Sequence, residues 1–361
     1  MTSPANTGIR RFSAPANILI AGEYLVTRDG GTGLCCAVQP RGYAELELNA
    51  GCSAVTVRSR TSSRPESGTN RTSRFPDDTY PETTSSPLVR SVLQSVQAHS
   101  RRSLPPGTRI TIDTSAFFDS SGRKRGFGSS AVAAVLLTTA ALDATHPDSA
   151  EPDAKPQFDP ALICRLATDA HRRANGGRGS GYDVATSTFG GWGIFTRSGE
   201  TGWRRIEPGR EIPGGLCLYT ADGPEAVETS AAVARFEAWT RANPDEDKRW
   251  RAQMAVAVNL LASGTDWNRF YDGWNSAATA GREIGDAIGV PVKLQTGGFS
   301  ETSVAGDAIG SDRAPVIKAS GAGDERLILA LPTSRTPSER WRRLHFEADG
   351  VRRENSGGLF G

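Results

Sequence analysis

Gly126-Phe127-Gly128-Ser129-Ser130-Ala131 runs without a break into Val132-Ala133-Ala134-Val135-Leu136-Leu137-Thr138-Thr139-Ala140-Ala141-Leu142. Small residues let backbone N–H groups come close to a ligand. The apolar helix that follows turns its unsatisfied amides and the positive end of its dipole toward the same point. Such a junction favours a phosphate. Gly126, Gly128 and Ala131 also fit the spacing G-x-G-x-x-A of a dinucleotide-binding loop, but that loop is fed directly by an apolar strand. Here Ser120-Ser121-Gly122-Arg123-Lys124-Arg125 precedes it, and no Gly-Lys-Ser/Thr follows as in a Walker A loop. A glycine turn that merely packs a helix is the plainer alternative. The paired hydroxyls of Ser129 and Ser130 argue against it, since they suit a phosphate or magnesium ion as well as a helix cap.

The 361 residues are enough for one large domain or two lobes sharing an interface, and 37% hydrophobic content supports a real core. Forty-two basic against 40 acidic residues leave a net charge of +2, which excludes a chain-wide nucleic-acid footprint. Basic residues cluster locally at Arg123-Lys124-Arg125, beside the glycine loop. Five cysteines (Cys35, Cys36, Cys52, Cys164 and Cys217) show no C-x-x-C spacing, and the four histidines form no metal-binding pair. Reduced, buried thiols are expected. Met1 to Arg11 lacks the apolar stretch of a secretory signal, and no apolar run is long enough to span a bilayer. These features predict a soluble cytoplasmic protein without membrane or nucleic-acid partners.

Along the chain, Phe12 to Val26 reads as a strand, followed by strands at Leu34 to Val38 and Tyr43 to Leu48. Arg58 to Pro87 is rich in Ser, Thr, Arg and Pro and reads as a solvated or disordered insertion, a long hairpin loop. Helices are predicted at Pro87 to Ala98, after Ala131, and at Pro160 to Ala174, with a strand at Arg109 to Asp113. His146 to Pro160 is a Pro/Asp-rich excursion. The segment Glu207 to Gly215 divides the chain into lobes 1–208 and 209–361. Beyond it come a strand at Leu216 to Thr220, helices at Ala231–Thr240, Lys248–Ala262 and Trp267–Ile288, and a strand at Leu327 to Leu331. Strands and helices mix without regular alternation, which predicts an α+β fold.

Two further loops carry chemistry. Gly179-Ser180-Gly181-Tyr182-Asp183-Val184-Ala185 holds an acid among small residues, where its carboxylate can face a substrate or close an ordinary Asx turn. Lys318-Ala319-Ser320-Gly321-Ala322-Gly323-Asp324 is either a tight turn or a third glycine-rich site.

Taken in order, these pieces resemble the GHMP small-molecule kinases. Ala14-Pro15-Ala16-Asn17-Ile18-Leu19-Ile20-Ala21-Gly22-Glu23-Tyr24-Leu25-Val26 is similar to that family's first motif, Gly126–Ala131 to its second, and Ser320–Gly323 to its third. Tyr24, and Ser180-Gly181-Tyr182-Asp183-Val184, resemble the phosphomevalonate-kinase branch. The resemblance implies a two-lobed fold, with a ribosomal-protein-like α+β N-terminal lobe and a ferredoxin-like C-terminal lobe. It further implies transfer of the ATP γ-phosphoryl group, with Mg²⁺, to the phosphate of 5-phosphomevalonate by a monomer or homodimer. Mevalonate kinase, a sugar kinase and a silent nucleotide-binding paralogue are the alternatives.

The residues so implied are Lys124, Gly126, Phe127, Gly128, Ser129, Ser130 and Ala131 for ATP. Asn17, Glu23, Tyr24, Arg178, Ser180, Gly181, Ser320, Gly321, Ala322 and Gly323 are implied for the acceptor. Asp183 and Lys318 are implied as catalytic residues, and Ser130 with Asp169 as magnesium ligands. Two departures stand out. Ala16-Asn17 replaces the family's usual Gly-Lys, and Asp324 follows Gly323 without the usual further glycines. A phosphate monoester has its second pKa near ~6 and is largely ionised at neutral pH. An acceptor of that kind needs cations more than a base, so the absent lysine suits it better than an alcohol. Lys318, Lys124, Arg125 and Arg178 are the expected cations.

Overall fold

The structure, a computed structural model, describes residues 9–48, 54–61, 71–75, 86–146, 159–197, 202–206, 212–223, 227–263, 266–290, 317–321, 323, 326–333 and 337–354. It is a mixed α+β protein built on two sheets. In the larger, β1 (Arg10–Ala21) pairs antiparallel with β2 (Thr32–Glu47), and β2 pairs with β5 (Arg109–Asp113). Beyond β5 lie β3 (Val55–Arg60), parallel to it, and then β4 (Arg71–Phe75). β6 (Trp192–Thr196) pairs with the first part of β2 and carries β7 (Trp203–Arg205). The short strand β12 (Arg352–Glu354) returns from the end of the chain to the free side of β1.

The stretches read as two strands, 34–38 and 43–48, are one 16-residue strand with an interruption. Ala16 pairs with Val38 while Pro15 pairs with Arg41, so Gln39 and Pro40 bulge out of the ladder. Proline lacks the donor a ladder needs and is tolerated at such a bulge. The segment 58–87, read as solvated loop, contains paired strand: the end of β3 and all of β4 form an antiparallel ladder. Residues 62–70 and 76–85 lie outside the described residues.

Helices α2 (Ser129–Thr145) and α4 (Tyr182–Phe189) pack on this sheet, and α1 (Pro87–Ser100) and α3 (Pro160–Ala174) pack against α2. α2 is apolar all round, from Ala131 to Ala144, and is buried between α1, α3, α4 and the sheet. α3 is amphipathic, starts at Pro160 behind an Asp159 side chain that accepts from Ala161 N (2.9 Å), and buries Ile163, Leu166, Ala167 and Ala170.

The second sheet runs β11 (Arg342–Arg343), β8 (Leu216–Asp222), β10 (Arg326–Pro332), β9 (Ile317–Ala319), all antiparallel. β10 alternates: Ile328 joins the main core, while Leu327, Leu329 and Leu331 build a smaller cluster with Trp341 on the other face. Helices α5 (Thr229–Ala242), α6 (Pro244–Ala262) and α7 (Trp267–Ala287) supply Phe236, Trp250, Met254, Phe270 and Trp274 to the same core that underlies the first sheet. No helix among the described residues is long and apolar enough to cross a membrane.

Candidate active site

The glycine loop is positioned from beneath by β1. Gly126 (φ 67°) and Gly128 (φ 75°) both adopt left-handed backbone, which turns the chain sharply into α2. A Cβ on Gly128 would lie 2.2 Å from Asn17 Nδ2, so no side chain fits there. Asn17 is buried. Its backbone N donates to Phe127 O (3.2 Å), and its Nδ2 donates to Ser187 Oγ on α4 (3.0 Å). No side chain caps α2, and its first turn carries no acid. Its first amides therefore stay available to an anion, as the sequence leads one to expect.

At the mouth of this loop, the exposed Ser130 Oγ lies 2.8 Å from His171 Nε2 on α3, and Asn175 Nδ2 approaches the same nitrogen at 3.4 Å. Ser130's partner is thus His171 and not Asp169, the acid expected beside it. Two residues apart on one helix, Asp169 and His171 cannot share a face. His171 is buried toward α2, and Asp169 is exposed. His171 escaped the sequence reading, which took Pro160 to Ala174 only as a helix.

The second glycine loop ends at Gly181 (φ 93°), which opens α4. Asp183 lies in the first turn of that helix, half-buried, and accepts from Val184 N at 2.9 Å. A carboxylate there interacts favourably with the dipole. Arg172, also missed, donates to the carbonyls of Gly179 (3.0 Å) and Ser180, fixing the loop that delivers Asp183. Burial and the neighbouring Arg197 lower its pKa, while Asp169 and Asp183 oppose that shift. The thiols nearby are not nucleophiles: burial pushes Cys164 up to about 12 and Cys35 well above its ordinary value. Ser180 and Gly181 are buried, whereas Arg178, Lys124 and Gly126 are exposed and Arg125 is half-buried.

The first and third motifs meet in a separate contact. Lys318 Nζ donates to Glu23 Oε1 and to Ala319 O, both at 2.6 Å, with both side chains almost fully buried. Burial raises the pKa of Glu23, and Lys318 opposes the shift. The other carboxylate oxygen of Glu23 has no hydrogen-bond partner among the described residues. A cavity of about 10 Å³ between Glu23, Tyr24, Ala277, Gly281, Lys318 and Gly321 has room for one water. Tyr24 holds φ 61°, left-handed backbone that costs a non-glycine residue of order 1 kcal/mol. Thr27 Oγ1 donating to Tyr24 O (2.6 Å) and the packing of its ring on Phe236 hold it. Ser320 Oγ donates to Leu19 O (2.7 Å), and Gly323 packs against Val227, where a Cβ would come within 2.8 Å. Ala322 and Asp324 lie outside the described residues.

The glycine loop fits a nucleotide polyphosphate, because the first amides of α2 are uncapped by any side chain and no acid stands in that first turn. A resident magnesium cage does not fit. Among the described residues no group of three or more His, Cys, Asp or Glu side chains could hold a metal ion. Ser130 faces an imidazole rather than a carboxylate, and magnesium favours oxygen ligands.

Comparison with known proteins agrees with this geometry. Residues 87–191 match the family described as GHMP kinases N terminal domain. No curated protein sequence matches the chain. Among solved structures, the Lin0012 protein from Listeria innocua superposes with a TM-score of 0.73 at 17% identity, covering 97% of this chain and 100% of that one. L. major mevalonate kinase in complex with R-mevalonate gives 0.61 at 16% identity, covering 97% and 100%. Streptococcus pneumoniae phosphomevalonate kinase in complex with phosphomevalonate and AMPPNP gives 0.57 at 14% identity, covering 89% and 91%. Residues 87–191 thus match a GHMP kinases N terminal domain, within a fold similar along most of the chain to that of a solved mevalonate kinase and a solved phosphomevalonate kinase.

Proposed function

We propose that this protein is an ATP-dependent small-molecule kinase whose acceptor is itself phosphorylated, of the phosphomevalonate type, with lobes divided as 1–208 and 209–361. The observation that carries the reading is the glycine loop: uncapped α2 amides at a left-handed turn packed on Asn17, with a carboxylate, Asp183, in the first turn of α4. In this reading the backbone from Phe127 to Ser130 holds the nucleotide's phosphates, and Ser130 with His171 offers a hydroxyl at the rim. Bound Mg²⁺ would neutralise phosphate charge and would travel with the nucleotide, since no cage for it lies among the described residues.

Phosphoryl transfer asks mainly for positioning and charge. Asn17 supplies no cation, and Lys318 is neutralised by Glu23. The exposed Lys124 and Arg178 and the half-buried Arg125 remain to meet an anionic acceptor. Asp183 orients the acceptor; an ionised phosphate asks little of it as a base. The test is a coupled ADP-release assay with ATP against 5-phosphomevalonate, mevalonate and galactose. Turnover fastest with 5-phosphomevalonate supports the reading, and mevalonate or galactose outpacing it overturns the acceptor assignment.

The missing cation at Asn17 favours one second reading, a nucleotide-binding sensor without transferase activity. Tight binding of an ATP analogue with no turnover on any acceptor would select it.

A further inference from the structure

We infer that Arg326, at the start of β10, is a positioning residue for the phosphate-binding glycine loop; the inference rests on the nucleotide-binding reading above. Arg326 is 1% exposed, and its guanidinium carbon sits 4.2 Å from the centre of the Phe127 ring. In its own plane the group donates to Thr220 Oγ1 (3.1 Å) and Asp222 Oδ1 (2.9 Å) on β8, the strand it faces in the ladder. Asp222 is itself steadied by Arg342 (3.1 Å). The arginine is thus braced by one strand while its guanidinium carbon sits over the loop's aromatic ring. A cation over an aromatic face is worth up to about 2 kcal/mol when desolvated.

Phe127 is the point at which this matters. It lies between two glycines in left-handed backbone, so the loop has little stiffness of its own. Two anchors remove that freedom. Asn17 N holds the Phe127 carbonyl, and Arg326 holds the ring. Together they set where the following amides point. Arg326 also closes the third motif, since its carbonyl accepts from Ser320 N (2.8 Å). One residue therefore ties the second motif to the third, although 199 positions separate Phe127 from Arg326. Lysine could make either the ion pair or the ring contact, but not both in this geometry.

The experiment compares wild type with Arg326→Met, Arg326→Lys, Phe127→Leu and the Arg326→Met/Phe127→Leu double variant. Three quantities are read: affinity for AMPPNP, hydrogen exchange of the 126–131 amides in the free protein, and KM for ATP against KM for the acceptor. Arg326→Met should weaken AMPPNP binding and speed loop exchange, each about tenfold. KM should rise for ATP and not for the acceptor. Arg326→Lys should restore Tm without restoring affinity, and the double variant should lose no more than the worse single one. Unchanged loop exchange in Arg326→Met, or single losses that multiply in the double variant, would overturn the inference. Should Arg326→Met fail to fold, Asp222→Asn loosens the same guanidinium and must give the same pattern at smaller amplitude. If wild type itself fails to bind AMPPNP, the functional reading falls, and the exchange comparison still decides whether Arg326 fixes the loop.

Discussion

At the scale of single residues, Gly128 and Asn17 carry the site, and they fail differently. Gly128→Ala must place a methyl within 2.2 Å of the Asn17 amide on backbone at φ 75°, so loop and β1 have to part. We expect Gly128→Ala to abolish turnover while lowering stability by about 1–3 kcal/mol, read by urea unfolding. Shortening the obstacle in Asn17→Ala/Gly128→Ala should return part of the stability, because the clash goes while the backbone strain stays.

The Glu23–Lys318 pair makes a sharper prediction. Lys318→Met strands a buried carboxylate, at a cost of about 3–5 kcal/mol at neutral pH. Glu23's folded pKa lies above its ordinary 4.5, so the folded state binds the proton more tightly than the unfolded chain. Stability from this group is therefore complete below 4.5 and declines as pH rises through the folded value. Without Lys318 the shift grows, and the variant's deficit against wild type should shrink as pH falls toward 4.5. A deficit independent of pH between 4.5 and 8 would contradict the assignment. Sequence alone marks Gly128, Glu23 and Lys318 as notable. It cannot show that the last two meet across 295 positions, nor that His171, ordinary on an amphipathic helix, turns inward to Ser130.

At the scale of elements, one helix with a regular apolar face and strong ends was legible to the residue. It is α3: Asp159 caps it, Pro160 starts it, and Asn175-Gly176 end it. Asp159→Ala should cost about 0.5–2 kcal/mol in urea unfolding, and Asp159→Asn or Asp159→Ser much less. α4 was not legible. Its eight residues contain Val, Thr, Ser and Thr, poor helix formers set among glycines. Tertiary burial holds it, together with Thr186 and Thr188 hydroxyls that donate to carbonyls four residues back, both at 2.7 Å. β4 was hidden for a related reason. Arg-Thr-Ser-Arg-Phe looks solvated, but Ser73 and Phe75 alternate inward with period two. The shortest strands, β7, β9, β11 and β12, are too brief for any pattern and exist only through their partners.

At the scale of the whole molecule, the two sheets share one apolar core, and three polar stitches cross between distant parts of the chain: Lys318 to Glu23, Ser320 to Leu19, and Arg326 to Phe127. A fourth stitch returns the end of the chain. Arg41, buried beside the β2 bulge, donates to Ser13 Oγ (2.9 Å), Glu347 (3.0 Å) and the carbonyls of Asp349 and Gly350. Arg41→Met leaves those acceptors unpaired, and we expect about 2–4 kcal/mol lost together with proteolytic release of residues beyond 346. The mixed α+β class followed from the irregular order of strands and helices. The joining of both sheets over one core did not, because no local pattern reports which faces meet.

The account depends on backbone amides after Phe127 gripping a nucleotide's phosphates. Calorimetric titration of AMPPNP into wild type and Gly128→Ala, both checked for folding by Tm, tests that grip most directly. Saturable binding to wild type, weakened at least about tenfold in Gly128→Ala, is the result expected. Equal affinity in the two proteins, or no binding to wild type, would contradict it.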